Sequence, residues 1–285
     1  MSQESVTSKD GTPIAYWRSG EGPPLVLVHG TAADHGRWAP VLPTFEERFS
    51  VCAVDRRGRG GSGDSDYYAI EREFEDVAAV VDSVGEPTIL LGHSYGALCA
   101  LEAALLTRNV RKLVLYEPGI EVAGQKIYPQ EVIERLEALL EAGDRDGVVA
   151  TFMREVAGLP PETVEHMRSQ PAWQALVAPA HTIPRELRAG KAYRLNPERF
   201  GDLWVPTLLL SGGESPAALR KAAEAVKETL SDSRIVVMAG QGHAAMDTRT
   251  DLFTTEVLRF VEGVFSEVRK KSSYPQQSSS LGVGA

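Results

Sequence analysis

A serine between two glycines, in the run Gly-His-Ser-Tyr-Gly at 92–96, is the feature that most constrains how this chain folds. The apolar run 88–91 before it is typical of a buried strand, and the run 97–106 after it is typical of a helix. A Gly-x-Ser-x-Gly pattern between strand and helix predicts a sharp turn that exposes the hydroxyl of Ser94 as a nucleophile. The alternative is a tight turn of a nucleotide-binding sheet, but such turns usually carry Gly-x-Gly-x-x-Gly, which this turn lacks.

Strand-like runs recur along the chain and alternate with stretches of helical spacing. The continuous apolar runs among them are typical of parallel strands covered on both faces. The alternation therefore predicts an α/β fold with a mostly parallel central sheet flanked by helices. The predicted strands lie at 13–18, 25–28, 51–54, 88–91, 113–116, 207–210 and 235–238, and two of the predicted helices lie at 70–84 and 251–268.

The alternation stops between Pro118 and Asp202, where helix-like segments follow one another at 131–142, 147–157, 161–169 and 180–188. This stretch of about 85 residues is far longer than the dozen or so that one crossover between parallel strands requires. It predicts a helical cap inserted over the strand ends. The predicted domains are a core of residues 1–118 and 203–268, a cap of 119–202, and a disordered tail of 269–285, which is rich in serine, glutamine and glycine.

The charge of the chain argues against several classes of partner. A formal net charge of −9 disfavours nucleic acid, because neutralising phosphates requires a basic face. No apolar run approaches the roughly 20 residues of a membrane span, and the first residues lack the features of a signal peptide. We therefore expect a cytoplasmic protein with two buried free thiols, Cys52 and Cys99. No residue set has metal-ligand spacing, so we expect neither a metal nor a cofactor.

Polar residues follow the predicted strands at or just beyond the point where each strand ends. Functional sites of parallel α/β sheets gather at the carboxyl ends of the strands, so these side chains are expected to converge. The residues concerned are His29, Asp55, Ser94, Glu117, Glu214 and His243.

Four motifs in this order resemble the α/β-hydrolase superfamily over about residues 8–266. They are His-Gly-Thr at 29–31, the arginine- and glycine-rich run 55–62, the serine motif 92–96 and Gly-Gln-Gly-His at 240–243. The resemblance implies that Ser94 is the nucleophile and that His243 takes and returns its proton. It also implies that the backbone N–H groups of Thr31 and Tyr95 form an oxyanion hole. It assigns Asp55 to bracing the arginine- and glycine-rich loop.

The acid of the triad departs from the usual family pattern. An aspartate commonly follows the seventh strand in a Gly-x-x-Asp turn, and here that place falls on Ser215, with Glu214 one residue early. Glu117, at the end of the sixth strand, resembles the acid placement of other branches, including certain dehalogenases and fungal lactonases. We favour Glu117 as the acid, with Glu214 as the alternative.

These features together predict a cofactor-independent serine hydrolase with a helical cap. It would cleave a small or medium, uncharged carboxylic ester or lactone (EC 3.1.1) through an acyl-enzyme. The same triad could instead serve C–C bond hydrolysis, amide hydrolysis or perhydrolysis. A non-catalytic ligand-binding receptor on the same fold is a further alternative. The expected partner is a small-molecule substrate, and the sequence leaves the oligomeric state open.

Overall fold

The computed structural model describes residues 1–122 and 124–263, which build one eight-stranded sheet with helices on both faces. The strands lie side by side in the order β1-β2-β4-β3-β5-β6-β7-β8. The first two strands run antiparallel to their neighbours, and all pairings from β4 to β8 are parallel. The strands are β1 (Ser2–Thr7), β2 (Pro13–Ser19), β3 (Pro24–Val28), β4 (Ser50–Val54), β5 (Thr88–His93), β6 (Val110–Tyr116), β7 (Thr207–Gly212) and β8 (Ser233–Met238).

This architecture confirms the predicted fold class. Each of the seven predicted strands is present with its ends shifted by no more than three residues. The sequence did not reveal β1, because its residues are mostly polar and it lies at an exposed edge of the sheet, where only Val6 packs against the core.

Alternate residues of the central strands supply two separate apolar layers, one on each face of the sheet. In β3, Val26 and Val28 join one layer, whereas Leu25 and Leu27 join the other. The first layer is covered by α2 (Ile70–Ser83), α3 (Tyr95–Ala103) and α9 (Ala217–Thr229). The second is covered by α1 (Leu42–Glu46), α10 (Ala245–Thr248) and α11 (Thr250–Val261).

Five helices and a short 3₁₀ helix connect β6 to β7, where the sequence predicted a helical insertion. Four of them match predicted segments, and the five-residue α7 was not predicted. Ile183 and Leu187 of the last helix join the same apolar layer as Phe74 and Leu98, so the insertion is packed onto the core. The elements are α4 (Gln130–Glu141), α5 (Arg145–Glu155), α6 (Pro161–Arg168), α7 (Trp173–Val177), α8 (Thr182–Ala192) and the 3₁₀ helix Pro197–Phe200.

The predicted final helix is shorter than expected. It ends at Val261 instead of residue 268, and Gly263 then adopts a positive φ of 71°, a left-handed conformation that commonly ends helices. The predicted tail of 269–285 lies outside the described residues. Within the described part of the chain, no helix combines the length and the apolar character that crossing a bilayer requires.

Candidate active site

Ser94 stands in the sharp turn between β5 and α3, with backbone angles of φ 56° and ψ −122°. This positive φ is strained for a residue with a side chain, and the flanking glycines make it possible. A Cβ on Gly92 would lie 2.4 Å from the carbonyl oxygen of Gly96, and one on Gly96 would lie 2.3 Å from the carbonyl oxygen of His29. Only glycine fits at either place, as the sequence predicted, and Ser94 remains half-buried at the end of its strand.

The loop after β3 passes directly against this serine. A Cβ on Gly30 would lie 3.0 Å from the Cβ of Ser94 and 3.5 Å from its Oγ. Thr31 follows in the chain, and Ala32 turns the loop with a φ of 54°. The structure therefore brings Gly30, the residue before Thr31, against Ser94. On the other side, Tyr95 is the first residue of the helix that follows the serine.

His243 and Glu117 meet at the end of β6. The Nδ1 of His243 lies 2.5 Å from Oε2 of Glu117, and the carboxylate is fully buried whereas the ring is partly exposed. The other oxygen of Glu117 accepts a hydrogen bond of 2.7 Å from the N–H of Gly212, at the end of β7. The backbone of Glu117 has a φ of 46°, one of three positive values at non-glycine residues within the described ranges. This conformation turns the side chain out of the register of β6 toward the histidine.

Glu214, the alternative acid, lies in a different environment. Its side chain is exposed, while its N–H donates to the carbonyl of Gln241 over 2.9 Å. The usual family position of the acid in this turn holds Ser215, which is buried. The structure therefore places Glu117, and not Glu214, on the ring nitrogen of His243.

Tyr116 and His93 fix the loop that carries the histidine. The hydroxyl of Tyr116 donates to the carbonyl of Gly242 and accepts a hydrogen bond of 3.0 Å from the N–H of Ala245, so it bonds on both sides of His243. Burial raises the pKa of Tyr116, which keeps this donor protonated. The sequence did not indicate this role, because an aromatic residue at the end of an apolar strand is typical of core packing.

The Nε2 of His93 lies 2.9 Å from the backbone carbonyl of His243, so this nitrogen carries the proton. Burial, followed by the proximity of His243, holds the pKa of His93 well below its usual range. A neutral ring that bonds the backbone of a neighbouring loop has a structural role.

His29 braces the loop that passes over Ser94. Its Nδ1 bonds the carbonyl of Gly30 over 2.7 Å, and its Nε2 accepts the backbone N–H of Arg56 over 3.2 Å. Burial and the charge of Arg56 hold the pKa of His29 well below its usual range, so the ring is neutral.

Asp55 organises the arginine- and glycine-rich loop. Its fully buried carboxylate accepts hydrogen bonds from Nδ1 and the N–H of His35, from Nε1 of Trp17 and from the N–H of Gly61, at 2.7–3.0 Å. The ring of His35 stacks on Trp17 with centroids 4.5 Å apart. Trp38, three residues after His35, is fully buried in the second apolar layer.

A cluster of buried charges that the sequence did not reveal lies near the serine turn, where Arg56 contacts the ring of Tyr95. Arg56 forms two hydrogen bonds with Glu73, of 2.7 and 2.9 Å, and a third of 2.6 Å with Glu186 of α8. Arg59 bonds the same oxygen of Glu186 and the hydroxyl of Thr182. The two arginines and two glutamates, here called the buried ionic cluster, are at most 2% exposed. Charged side chains are almost never buried to this degree unless they are paired.

Other candidate nucleophiles are poorly placed. Burial raises the pKa of Cys52 to about 11 and that of Cys99 well above its usual range, so both thiols stay protonated. Across residues 1–122 and 124–263, no group of three or more histidine, cysteine, aspartate or glutamate side chains could hold a metal ion. Ser94 directly follows His93, whose ring lies 4.5 Å from the ring of His243, and this makes it the best-placed of these candidate nucleophiles in the described chain.

The sheet order, the serine turn and the histidine–carboxylate pair define a chain of the α/β-hydrolase type. A family model described as the alpha/beta hydrolase family matches residues 25–255, and the chain belongs to this family. Among the curated relatives, it is 26% identical over 267 residues to pimeloyl-[acyl-carrier protein] methyl ester esterase of Neisseria meningitidis, with 85% of this chain and 78% of that protein covered.

Solved structures of similar proteins share the fold of this chain. An alpha/beta hydrolase from Sphaerobacter thermophilus superposes with a TM-score of 0.74 at 39% identity, covering 84% of this chain and 93% of that one. The esterase RhEst1 from a Rhodococcus species gives a TM-score of 0.74 at 27% identity, covering 93% of this chain and all of that one.

Proposed function

We propose that this protein is a cofactor-independent serine hydrolase that cleaves a small or medium, uncharged carboxylic ester or lactone. Ser94 is the nucleophile, His243 the general base and acid, and Glu117 the acid of the triad. The observation that carries the proposal is the 2.5 Å contact between Nδ1 of His243 and the buried carboxylate of Glu117, at the strand next to the serine turn.

The proposed reaction follows from these roles. The hydroxyl of Ser94 attacks the carbonyl carbon and transfers its proton to Nε2 of His243. The N–H groups of Thr31 and Tyr95 stabilise the oxyanion, and the imidazolium then protonates the leaving alkoxide. A water molecule activated by the same nitrogen resolves the acyl-enzyme. Glu117 accepts a hydrogen bond from Nδ1–H of His243 throughout, which selects the tautomer and stabilises the positive ring.

The helices between β6 and β7 serve as the cap in this proposal, with domain limits of 1–118 and 203–268 for the core and 119–202 for the cap. Support comes from their place in the chain, because the insertion begins directly after Glu117 and packs against the core near the serine turn through α8. A site enclosed by such a segment suits a small, mostly apolar ligand held away from water.

Two relatives support ester cleavage, since one is named as a methyl ester esterase and another as an esterase. The decisive test combines p-nitrophenyl esters of increasing chain length and a panel of lactones with a fluorophosphonate probe read by intact mass. We expect hydrolysis of at least one substrate and one phosphonate adduct, which peptide mapping places on Ser94.

Ser94→Ala should lower kcat by roughly 10⁴- to 10⁶-fold and abolish the adduct. The matched control is Ser215→Ala, which also removes a serine hydroxyl, but from the turn after β7. This variant should remain active. If the enzyme keeps its activity without the hydroxyl of Ser94, the serine-hydrolase proposal is wrong. If the protein binds lactones but never forms the adduct, the receptor alternative replaces it.

A further inference from the structure

We infer that Arg56 is a positioning residue that aligns both halves of the oxyanion hole, and that Glu186 of α8 fixes the orientation of its guanidinium. Full catalysis would then require α8 to be docked on the core. This inference rests on the proposed function, because it concerns the N–H groups that the proposal assigns to oxyanion binding.

Arg56 holds the first half through His29. Its backbone N–H donates to Nε2 of His29 over 3.2 Å, and its Nη1 reaches the carbonyl of the same histidine at 3.4 Å. The Nδ1 of His29 in turn bonds the carbonyl of Gly30. The two residues immediately before Thr31 are therefore bonded to Arg56 or to the ring that Arg56 holds, and this fixes the chain at the first proposed donor.

Arg56 also holds the second half through Tyr95. The guanidinium carbon lies 4.8 Å from the centroid of the Tyr95 ring, within the range of a cation–π contact. The hydroxyl of Tyr68 donates to Glu73 over 2.9 Å and therefore accepts from the hydroxyl of Tyr95 at 3.0 Å. The residue that supplies the second proposed donor is thus fixed at its ring face by Arg56 and at its hydroxyl by Tyr68, which bonds Glu73 of the cluster.

The guanidinium is itself held by one glutamate from the core and one from the insertion. Glu73 of α2 accepts two hydrogen bonds from the guanidinium of Arg56, from Nε and Nη2. Glu186 of α8 accepts a third hydrogen bond from Nη2 and also bonds Arg59. Burial opposes ionisation of Glu73, but Arg56 outweighs burial and lowers the pKa of this carboxyl. Without Glu186 of α8, Glu73 would be the one carboxylate of the cluster left to balance the charges of Arg56 and Arg59. The guanidinium of Arg56 would then no longer be held in a fixed orientation.

Stability alone does not call for this arrangement. Apolar side chains of similar volume often replace a buried ion cluster without loss of stability, because removing charges from water is costly. Positioning of the oxyanion hole would explain the cluster, because Arg56 contacts both segments that carry the proposed donors. Displacing such donors even slightly is costly, because an oxyanion hole acts only through groups aligned in advance.

The test uses Glu186→Gln and Arg56→Lys in the full-length enzyme, assayed on the best ester found for the wild type. Active sites are counted by fluorophosphonate titration, so that only folded enzyme is scored. We expect each variant to lose about 10- to 100-fold in kcat while KM changes by less than about threefold. The inhibition constant of a trifluoromethyl ketone, whose adduct carries the oxyanion, should rise by the same factor as kcat falls.

The matched control is Glu137→Gln, the same chemical change in an exposed ion pair between α4 and Arg188 of α8. It should leave kcat and the ketone affinity unchanged. If the two cluster variants do not fold, Tyr68→Phe removes only the hydroxyl that bridges Tyr95 and Glu73, and kcat should still fall several-fold with a matching loss of ketone affinity.

Cluster variants that lower Tm but keep the kcat and ketone affinity of the wild type would overturn the inference and leave the cluster as structural only. This outcome differs from failure of the proposed function, in which the wild type itself would show no activity that depends on Ser94.

Discussion

Two histidine–carboxylate pairs of nearly the same geometry stand at two strand ends of this sheet. In one, Nδ1 of His243 lies 2.5 Å from Glu117, after β6, and in the other, Nδ1 of His35 lies 2.7 Å from Asp55, after β4. Both carboxylates are fully buried, and both rings are partly exposed. By the distance between ring and carboxylate alone, either pair could be the base and acid of a triad.

The surroundings separate the two pairs. Asp55 bonds Trp17 and Gly61 as well as His35, so its carboxylate closes a loop, and the ring of His35 is stacked on Trp17. Glu117 instead bonds the N–H of Gly212 and directs its second oxygen to the ring of His243. That ring lies 4.5 Å from the ring of His93, the residue immediately before Ser94. The neighbours of the ring, more than its bond to a carboxylate, distinguish the pair that we propose to be catalytic from the pair that closes a loop.

The largest expected effect is the loss of kcat in Glu117→Gln, which changes the carboxylate of the His243 pair. An amide can no longer stabilise the imidazolium and can select the wrong tautomer, so kcat should fall by about 10²- to 10⁴-fold. Steady-state kinetics on an ester, with active sites counted by titration, measures the loss. A Gln variant with the activity of the wild type would remove Glu117 from the triad.

Tyr116→Phe should have an intermediate effect, which acts through the His243 pair. It removes the hydroxyl that bonds the backbone on both sides of His243 and leaves the aromatic packing in place. We expect kcat to fall by about tenfold, because the ring is then less well positioned, with KM nearly unchanged. Equal kinetics of the variant and the wild type would show that the contact of His243 with Glu117 is enough to hold the ring.

Asp55→Asn should affect stability more than chemistry. An amide replaces one acceptor oxygen with a donor, so at least one of the N–H groups around it loses its partner at a cost of roughly 1–3 kcal/mol. Urea unfolding should show this loss, while kcat per titrated active site stays close to that of the wild type. A variant that is equally stable but far slower would assign chemistry to the His35 pair.

Glu214→Gln should have the smallest effect. Its exposed side chain precedes α9, which begins at Ala217, so the change removes at most a few tenths of a kcal/mol of favourable charge near the helix start. The kcat should be unchanged in the same ester assay. If this variant loses more activity than Glu117→Gln, the roles of the two glutamates are reversed.

The sequence was most informative where the structure depends on a local pattern of neighbouring residues. Runs of apolar residues marked the central strands, and the serine between glycines marked the turn, because a side chain at Gly92 or Gly96 would overlap the backbone. The placement of Glu117 could also be inferred, since Pro118 ends the strand directly after it.

Contacts between distant segments could not be predicted in the same way. Arg56 and Glu186 are 130 residues apart, and a run of arginines and glycines is equally typical of an exposed loop. The bond from Tyr116 to the carbonyl of Gly242 spans 126 residues and depends on a loop whose path the sequence does not specify. Such contacts depend on how the insertion and the loop after β8 fold back on the sheet.

The central claim is that the His243 pair performs the chemistry and that the His35 pair does not. The rate of Ser94 phosphonylation by a fluorophosphonate, followed by intact mass in His243→Gln and His35→Gln, tests it most directly. We predict that His243→Gln slows labelling by about 10³-fold or more. His35→Gln should label within about threefold of the wild type, because that ring only packs and bonds a loop. Comparable loss in both variants, or rapid labelling of His243→Gln, would contradict the assignment.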